Sequence, residues 1–196
     1  MSLIPIFAFL STAFAVYTVV PYIQAILRKK TKPHQFTWLV FFIMNGIVFL
    51  SQYLAGARAS VLISLTYLIG SFIILLLSFK YGLRDSSKFD RFLLGFALLV
   101  IAIWVLTRSN GLAIWLTILI DLSAETMMFL KVKAQPDSED PVPWIFGTIA
   151  YVFTCLTLMG QPLSVLYVRP VYGLFADGGL VLFIYFWKAK AGKKKK

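Results

Sequence analysis

Three acidic residues lie inside long apolar runs of this sequence, where an ionisable side chain is energetically costly. Asp121 and Glu125 are four residues apart and would share one face of a helix. Asp177 lies in a later apolar run, beside Gly178 and Gly179. Ionisable groups within a bilayer commonly mark ion, proton or solute sites. The acids therefore predict a proton-coupling or cation-binding site. The alternative is a hydrogen-bonded network that only joins helices.

Uncharged polar residues in the apolar runs are candidates for lining a solute pathway. Asn45 and Gln52 are seven residues apart, which places them on one face of a helix. They would point either into a pathway or toward a neighbouring helix. The further candidates for pathway lining are Tyr67, Ser71 and Tyr151.

Residues for other kinds of chemistry are scarce. The chain has one cysteine, Cys155, and one histidine, His34. An internal disulfide, a CxxC motif and a His-based metal site are therefore all excluded. We expect no catalytic residues, no metal and no cofactor, and we predict that the protein is not an enzyme.

The composition indicates that lipid is the solvent for most of the chain. Of the 196 residues, 60% are hydrophobic and 14% are charged, against about 25% charged in soluble domains. A helix needs about 20 mostly apolar residues to cross a bilayer. Seven apolar runs are predicted to do so: 4–27, 36–55, 61–79, 92–106, 112–130, 143–159 and 170–187. The first lacks a basic leader and is expected to be a retained helix.

The positive charges alternate from one side of the predicted membrane to the other. Sixteen of the 19 Lys and Arg residues fall on one side, and only Arg58, Arg108 and Arg169 fall in segments on the other. The positive-inside rule then places the N-terminus outside and the lysine-rich tail in the cytoplasm. We predict a multi-pass protein of a bacterial inner membrane. The net charge of +11 thus reflects topology and does not indicate a nucleic-acid partner.

The order of elements suggests an internal repeat. Trp38 and Trp144 open the second and sixth apolar runs at an offset of 106 residues, and each follows a basic, proline-containing segment. We predict two three-helix units, 1–83 and 109–188, joined by a linker with the fourth helix at 84–108 and followed by a tail at 189–196. Both tryptophans are expected in an aromatic belt at the membrane surface.

One segment resembles a known superfamily. The run PYIQAILRKKT at 21–31, with a proline late in the first helix and a basic end, is similar to the motif of SWEET and PQ-loop transporters, with Tyr22 in place of their glutamine. The corresponding position near Met127 lacks a proline. The resemblance implies a 3+1+3 fold of seven helices with a parallel repeat, alternating access between the two units, and Pro21 as a hinge. The segment KPHQFTW at 32–38 also resembles a group of small bacterial membrane proteins.

These features predict an all-α membrane transporter or facilitator of a small polar solute, with the acids favouring a cation or proton coupling. The alternative is a non-transporting receptor or sensor on the same scaffold. A retinal photoreceptor is excluded because residues 171–186 contain no lysine. The expected partners are the solute and the lipid bilayer, and the sequence leaves a homo-oligomer open.

Overall fold

The computed structural model describes residues 3–54, 59–83, 87–159 and 167–194, of which 89% are helical. Seven α-helices follow one another in these ranges, and their ends agree with the seven predicted apolar runs to within four residues, except that α7 extends seven residues further. They are α1 (Ile4–Leu27), α2 (Gln35–Leu54), α3 (Ala59–Tyr81), α4 (Lys88–Thr107), α5 (Asn110–Ala134), α6 (Val142–Thr157) and α7 (Val168–Lys194). A 3₁₀ turn, Pro136–Ser138, separates α5 from α6. The prediction of an all-helical chain is confirmed.

Polar residues at the ends of the apolar runs mark where two of the helices begin. The side chain of Ser87 accepts a hydrogen bond from the backbone of Asp90, and the Asp90 carboxylate accepts one from the backbone of Ser87. This reciprocal arrangement is a capping box for α4. Ser109 accepts from the backbone of Leu112 in the same way and begins α5.

The outer surface of the helices is apolar, as expected for a protein surrounded by lipid. Large hydrophobic side chains such as Phe9, Leu106 and Leu182 are more than 70% exposed. Within the described part of the chain, four helices are long and apolar enough to cross a membrane, namely α1, α3, α4 and α7. Helix α6 is apolar but has only 16 residues, which corresponds to about 24 Å. The chain is therefore a helical protein with several candidate membrane spans.

Helix packing brings six of the helices around a common centre. Helix α1 packs against α3 and α6, and α5 packs against α7 and α2. Helices α2 and α3 also contact each other, as do α6 and α7. Helix α4 lies outside this group, where it contacts α5 and α2.

The centre contains aromatic side chains that were expected at the membrane surface. Trp38 and Trp144 are 8% and 6% exposed, so their placement in an interfacial belt is wrong. Trp144 is held in the core because its indole nitrogen donates a hydrogen bond, at 3.1 Å, to the buried carboxylate of Glu139. Buried indole N–H groups usually require such a partner.

One end of the bundle, here called the basic end, is formed by the loops 28–34 and 135–141. The two loops are joined by two hydrogen bonds. The backbone N–H of Lys32 donates to the carbonyl of Ser138 at 3.0 Å, and the backbone N–H of Asp140 donates to the hydroxyl of Thr31 at 3.1 Å. Because each loop connects a different pair of helices, these bonds join the first part of the chain to the second.

Candidate functional site

A cavity of about 70 Å³ lies between α1, α2, α3, α5, α6 and α7. A single water molecule needs about 10–15 Å³ on this measure, so the space admits several waters or a small solute. Its polar wall is formed by Thr18, Asn45, Tyr67, Ser71, Asp121, Glu125, Tyr151, Arg169 and Asp177. Its aromatic wall is formed by Tyr22, Trp38, Phe41 and Trp144. Among the described residues of α4, none lines the cavity.

The structure brings together almost all of the residues that were predicted to form a site. Seven of the eight candidates line this one cavity: Asp121, Glu125, Asp177, Asn45, Tyr67, Ser71 and Tyr151. The eighth, Gln52, lies in α2, but its side chain falls outside the described part of the chain. Pro21 lies within α1, next to the cavity residue Tyr22. Its role as a hinge stays a prediction.

Asp121 differs from the other two acids because it has a cationic partner. The guanidinium of Arg169 forms an ion pair with the carboxylate of Asp121. Its second terminal nitrogen lies 3.3 Å from the sulfur of Met44. The sequence suggested that Arg169 lies in a segment outside the seventh helix. In the structure it lies in the first turn of α7, and its side chain is only 16% exposed.

Glu125 is the most isolated acid of the cavity. The residue is 3% exposed, and its Oε2 atom has no hydrogen-bond partner among the described residues. An unpaired carboxylate in such surroundings loses its hydration without compensation. A proton or a bound cation would supply that compensation.

Asp177 is held close to α6 by a glycine. A Cβ atom added at Gly147 would collide with the Asp177 carboxylate. Gly173, one turn before Asp177, allows an equally close approach of the Tyr151 ring. Two glycines, one on each helix, therefore let α6 and α7 pack tightly enough to bring Tyr151 and Asp177 into the same wall.

The uncharged polar residues connect α2, α3 and α6 across the cavity. The amide of Asn45 donates to the hydroxyl of Ser71 at 3.4 Å and to the carbonyl of Tyr67 at 3.5 Å. The rings of Tyr67 and Tyr151 are stacked, with centroids 6.4 Å apart and planes 16° from parallel. Asn45 and Gln52 were predicted as a pair on one face of α2, and the structure places the first of them in the cavity.

The cavity contains more acidic groups than basic ones. Three carboxyl groups and one guanidinium group line it, which gives a formal charge of −2 if all are ionised. Buried charge of one sign is unfavourable unless it is paired or neutralised. The arrangement is therefore suited to hold protons, a cationic group, or one in exchange for the other. Among the described residues, no group of three His, Cys, Asp or Glu could hold a metal ion.

A second buried cluster lies between the cavity and the basic end, and sequence reasoning missed it. Lys131 forms an ion pair with Glu139, and their side chains are 3% and 0% exposed. The other oxygen of Glu139 accepts the Trp144 hydrogen bond, so the cluster touches the aromatic wall. The sequence shows Lys131 and Glu139 only as charged residues near the ends of the fifth and sixth apolar runs, and their spacing does not indicate an ion pair.

Comparisons of the chain with protein-family models, with curated proteins and with solved structures find no match. The functional conclusion therefore depends on the cavity and on the helices that form it.

Proposed function

We propose that the protein is a membrane transporter of a small polar solute, and that the central cavity is its binding site. The observation that carries this proposal is the convergence of seven polar residues from α2, α3, α5, α6 and α7, together with Arg169, on one enclosed space. Solute sites of membrane transporters commonly lie in the interior of the bundle, between structural repeats. The excess of carboxyl groups favours a cationic solute, proton coupling, or both.

The pattern of helix packing supports two equivalent units of three helices. Exchanging α1, α2 and α3 with α5, α6 and α7 turns the α1–α6 contact into the α5–α2 contact. The same exchange relates α1–α3 to α5–α7, and α2–α3 to α6–α7. The cavity lies between the two groups, and α4 lies outside them. We therefore retain the 3+1+3 arrangement with seven membrane spans as part of this proposal.

We propose that contacts at the basic end of the cavity close that end in one state of an alternating-access cycle. The aromatic wall, the Lys131–Glu139 pair and the hydrogen bonds between loops 28–34 and 135–141 all lie on this side. Release of solute at this end requires these contacts to part. Pro21, adjacent to Tyr22 of the aromatic wall, is placed where a bend of α1 would move that wall.

The three acids suggest how a proton could take part. Asp121 is compensated by Arg169, so it need not change its protonation during the cycle. Glu125 has an open carboxylate oxygen and is the best placed to exchange a proton for a cation. We propose Glu125 as the coupling acid, with Asp177 as a second ligand for the solute.

Uptake by purified protein in proteoliposomes tests the proposal. A thermal-shift screen in detergent with small amines, amino acids and sugars would first select solutes that bind. We expect saturable uptake of a selected solute, responsive to a pH gradient, and its loss in Glu125→Gln. The matched control is Asp137→Asn, an exposed acid at the basic end, which should transport normally. Binding without net uptake would contradict transport and favour a receptor.

A further inference from the structure

The aromatic wall of the cavity consists of four buried rings that contact one another. Trp38, Phe41 and Trp144 are each less than 10% exposed, and Tyr22 is 2% exposed. Tyr22 contacts Trp38 at a centroid distance of 4.8 Å and Trp144 at 6.0 Å. Phe41 contacts Trp38 at 5.3 Å and Trp144 at 6.5 Å. The four rings thus form one continuous surface on one side of the cavity.

The same cavity also carries negative charge. Glu125 has an oxygen with no hydrogen-bond partner among the described residues, and Asp177 lines the same space. The charge of Asp121 is already met by Arg169. A ligand that fills the cavity would therefore meet both aromatic rings and two carboxyl groups that have no ion-pair partner among the described residues.

This combination discriminates between classes of solute. Aromatic faces attract cations, most strongly when the cation is removed from water. A hard metal cation instead needs several oxygen ligands at about 2.0–2.6 Å, and the described residues provide no such cluster. A neutral sugar would leave the excess carboxyl charge to be neutralised by protons alone. An organic ammonium ion satisfies both walls, because its charge faces the carboxyl groups and its alkyl groups face the rings.

We infer that the solute is a small organic ammonium ion. This inference rests on the proposed function, since it assumes that the cavity is the solute site. The cavity volume of about 70 Å³, at about 10–15 Å³ for each water-sized group, restricts the ligand to about seven non-hydrogen atoms or fewer in this conformation. Methylammonium, tetramethylammonium and choline span the suitable sizes.

Binding to the purified full-length protein in detergent tests the inference, with tryptophan fluorescence as a readout because two of the five tryptophans line the cavity. Choline and tetramethylammonium are compared with their neutral carbon isosteres, in which carbon replaces nitrogen, and with KCl at equal ionic strength. We expect at least one of these two ammonium ions to bind, and its isostere to bind about tenfold more weakly or not at all. Equal binding of each ammonium ion and its isostere, or no ammonium binding, would overturn the inference.

Two variants separate the contribution of the aromatic rings to ammonium binding from that of an apolar surface alone. Phe41→Leu keeps an apolar side chain but removes a ring, and we expect about tenfold weaker ammonium binding with unchanged binding of the isostere. The matched control is Phe72→Leu, which removes a ring from α3 outside the cavity and should bind ammonium within about threefold of the original protein. Size-exclusion chromatography and thermal unfolding report whether each variant folds. If Phe41→Leu does not fold, Tyr22→Leu is tested in its place. Unchanged ammonium affinity in the folded cavity variant, Phe41→Leu or Tyr22→Leu, would contradict the inference.

The outcome also separates this inference from the proposed function. Saturable uptake of a sugar or a neutral solute, without ammonium binding, would leave transport standing and refute the ammonium class. Selective ammonium binding with no uptake into proteoliposomes would support the ligand class and refute transport.

Discussion

The three acids in the cavity have different physical situations, and these situations assign them different roles. Asp121 is paired with Arg169, so the two charges neutralise each other inside the bundle. Glu125 and Asp177 line the same cavity, where the single guanidinium cannot balance all three acids. We therefore expect substitutions of Asp121 to affect folding and substitutions of Glu125 to affect function.

The ion pair provides the first prediction. Asp121→Asn leaves the buried Arg169 without its partner, and removal of one member of a buried pair costs about 3–5 kcal/mol. We expect a clearly lower thermal unfolding temperature in detergent for Asp121→Asn. Glu125→Gln should keep or raise that temperature, because it removes a buried acid. The double variant Asp121→Asn, Arg169→Gln should recover much of the loss. Equal destabilisation by Asp121→Asn and Glu125→Gln would contradict these roles.

The close contact between α6 and α7 provides the second prediction. Gly147→Ala places a methyl group against the Asp177 carboxylate and should displace it from the cavity wall. We expect solute binding to weaken about tenfold or more, since a displaced charged ligand costs more than 1.4 kcal/mol. The matched control is Gly179→Ala in α7, where an added methyl group has open space within 4 Å. If a folded Gly147→Ala variant binds solute normally, the position of the Asp177 carboxylate does not matter for solute binding.

The sequence singled out three acids that the structure places in one cavity, but it did not reveal their partners. Asp121 and Glu125 were recognisable because charge inside an apolar run is costly whatever the fold. Arg169 was not recognisable as part of the site, because it lies just before the seventh apolar run and pairs with a residue 48 positions away. Periodicity along one helix carries no information about such a contact between helices.

Among the elements, the basic end is where two parts of the chain are joined. Lys131 belongs to the last turns of α5, Glu139 to the following loop, and Trp144 to the first turn of α6. The ion pair and the indole hydrogen bond therefore fix the corner between α5 and α6 against the aromatic wall. Any movement of Trp144 in the aromatic wall relative to this corner would therefore have to break the indole hydrogen bond.

This corner provides the third prediction. Glu139→Gln leaves buried Lys131 without a counter-charge and should destabilise the protein by about 3–5 kcal/mol. The double variant Lys131→Met, Glu139→Gln removes both charges of the pair and keeps a side-chain oxygen to accept the Trp144 hydrogen bond, so no uncompensated charge is left buried. We expect its thermal unfolding temperature to exceed that of Glu139→Gln. A double variant no more stable than Glu139→Gln would contradict a coupled pair.

Helix positions were predictable, whereas the environment of the helix ends was not. Long apolar runs and their flanking charges located all seven helices, because hydropathy reflects a requirement of each segment by itself. Trp38 and Trp144 were predicted at the membrane surface only because they open the second and sixth apolar runs. In the structure, Trp144 is hydrogen-bonded to Glu139 and Trp38 packs against the ring of Tyr22, and both of these partners belong to other elements.

For the whole molecule, the cavity matters because six helices from both parts of the chain enclose it. If the two three-helix groups rock against each other, the cavity is exposed first at one end and then at the other. In the structure, loops 28–34 and 135–141 are joined by a backbone hydrogen bond at the basic end. Alternating access therefore requires a second state in which these loops separate and this end opens.

Accessibility of a single cysteine from each side of the membrane tests this requirement most directly. In a Cys155→Ser background, which removes the only native cysteine, Ser71→Cys places a thiol in the cavity wall. A matched control, Lys29→Cys, places one in an exposed position at the basic end. Membrane-impermeant thiol reagents are then applied to right-side-out and inside-out vesicles.

If the cavity opens alternately to the two sides, we expect Ser71→Cys to react from both sides of the membrane and Lys29→Cys to react from one side only. We also expect a bound solute to slow the reaction of Ser71→Cys. Reaction of Ser71→Cys from one side alone, or from neither, would contradict alternating access through this cavity.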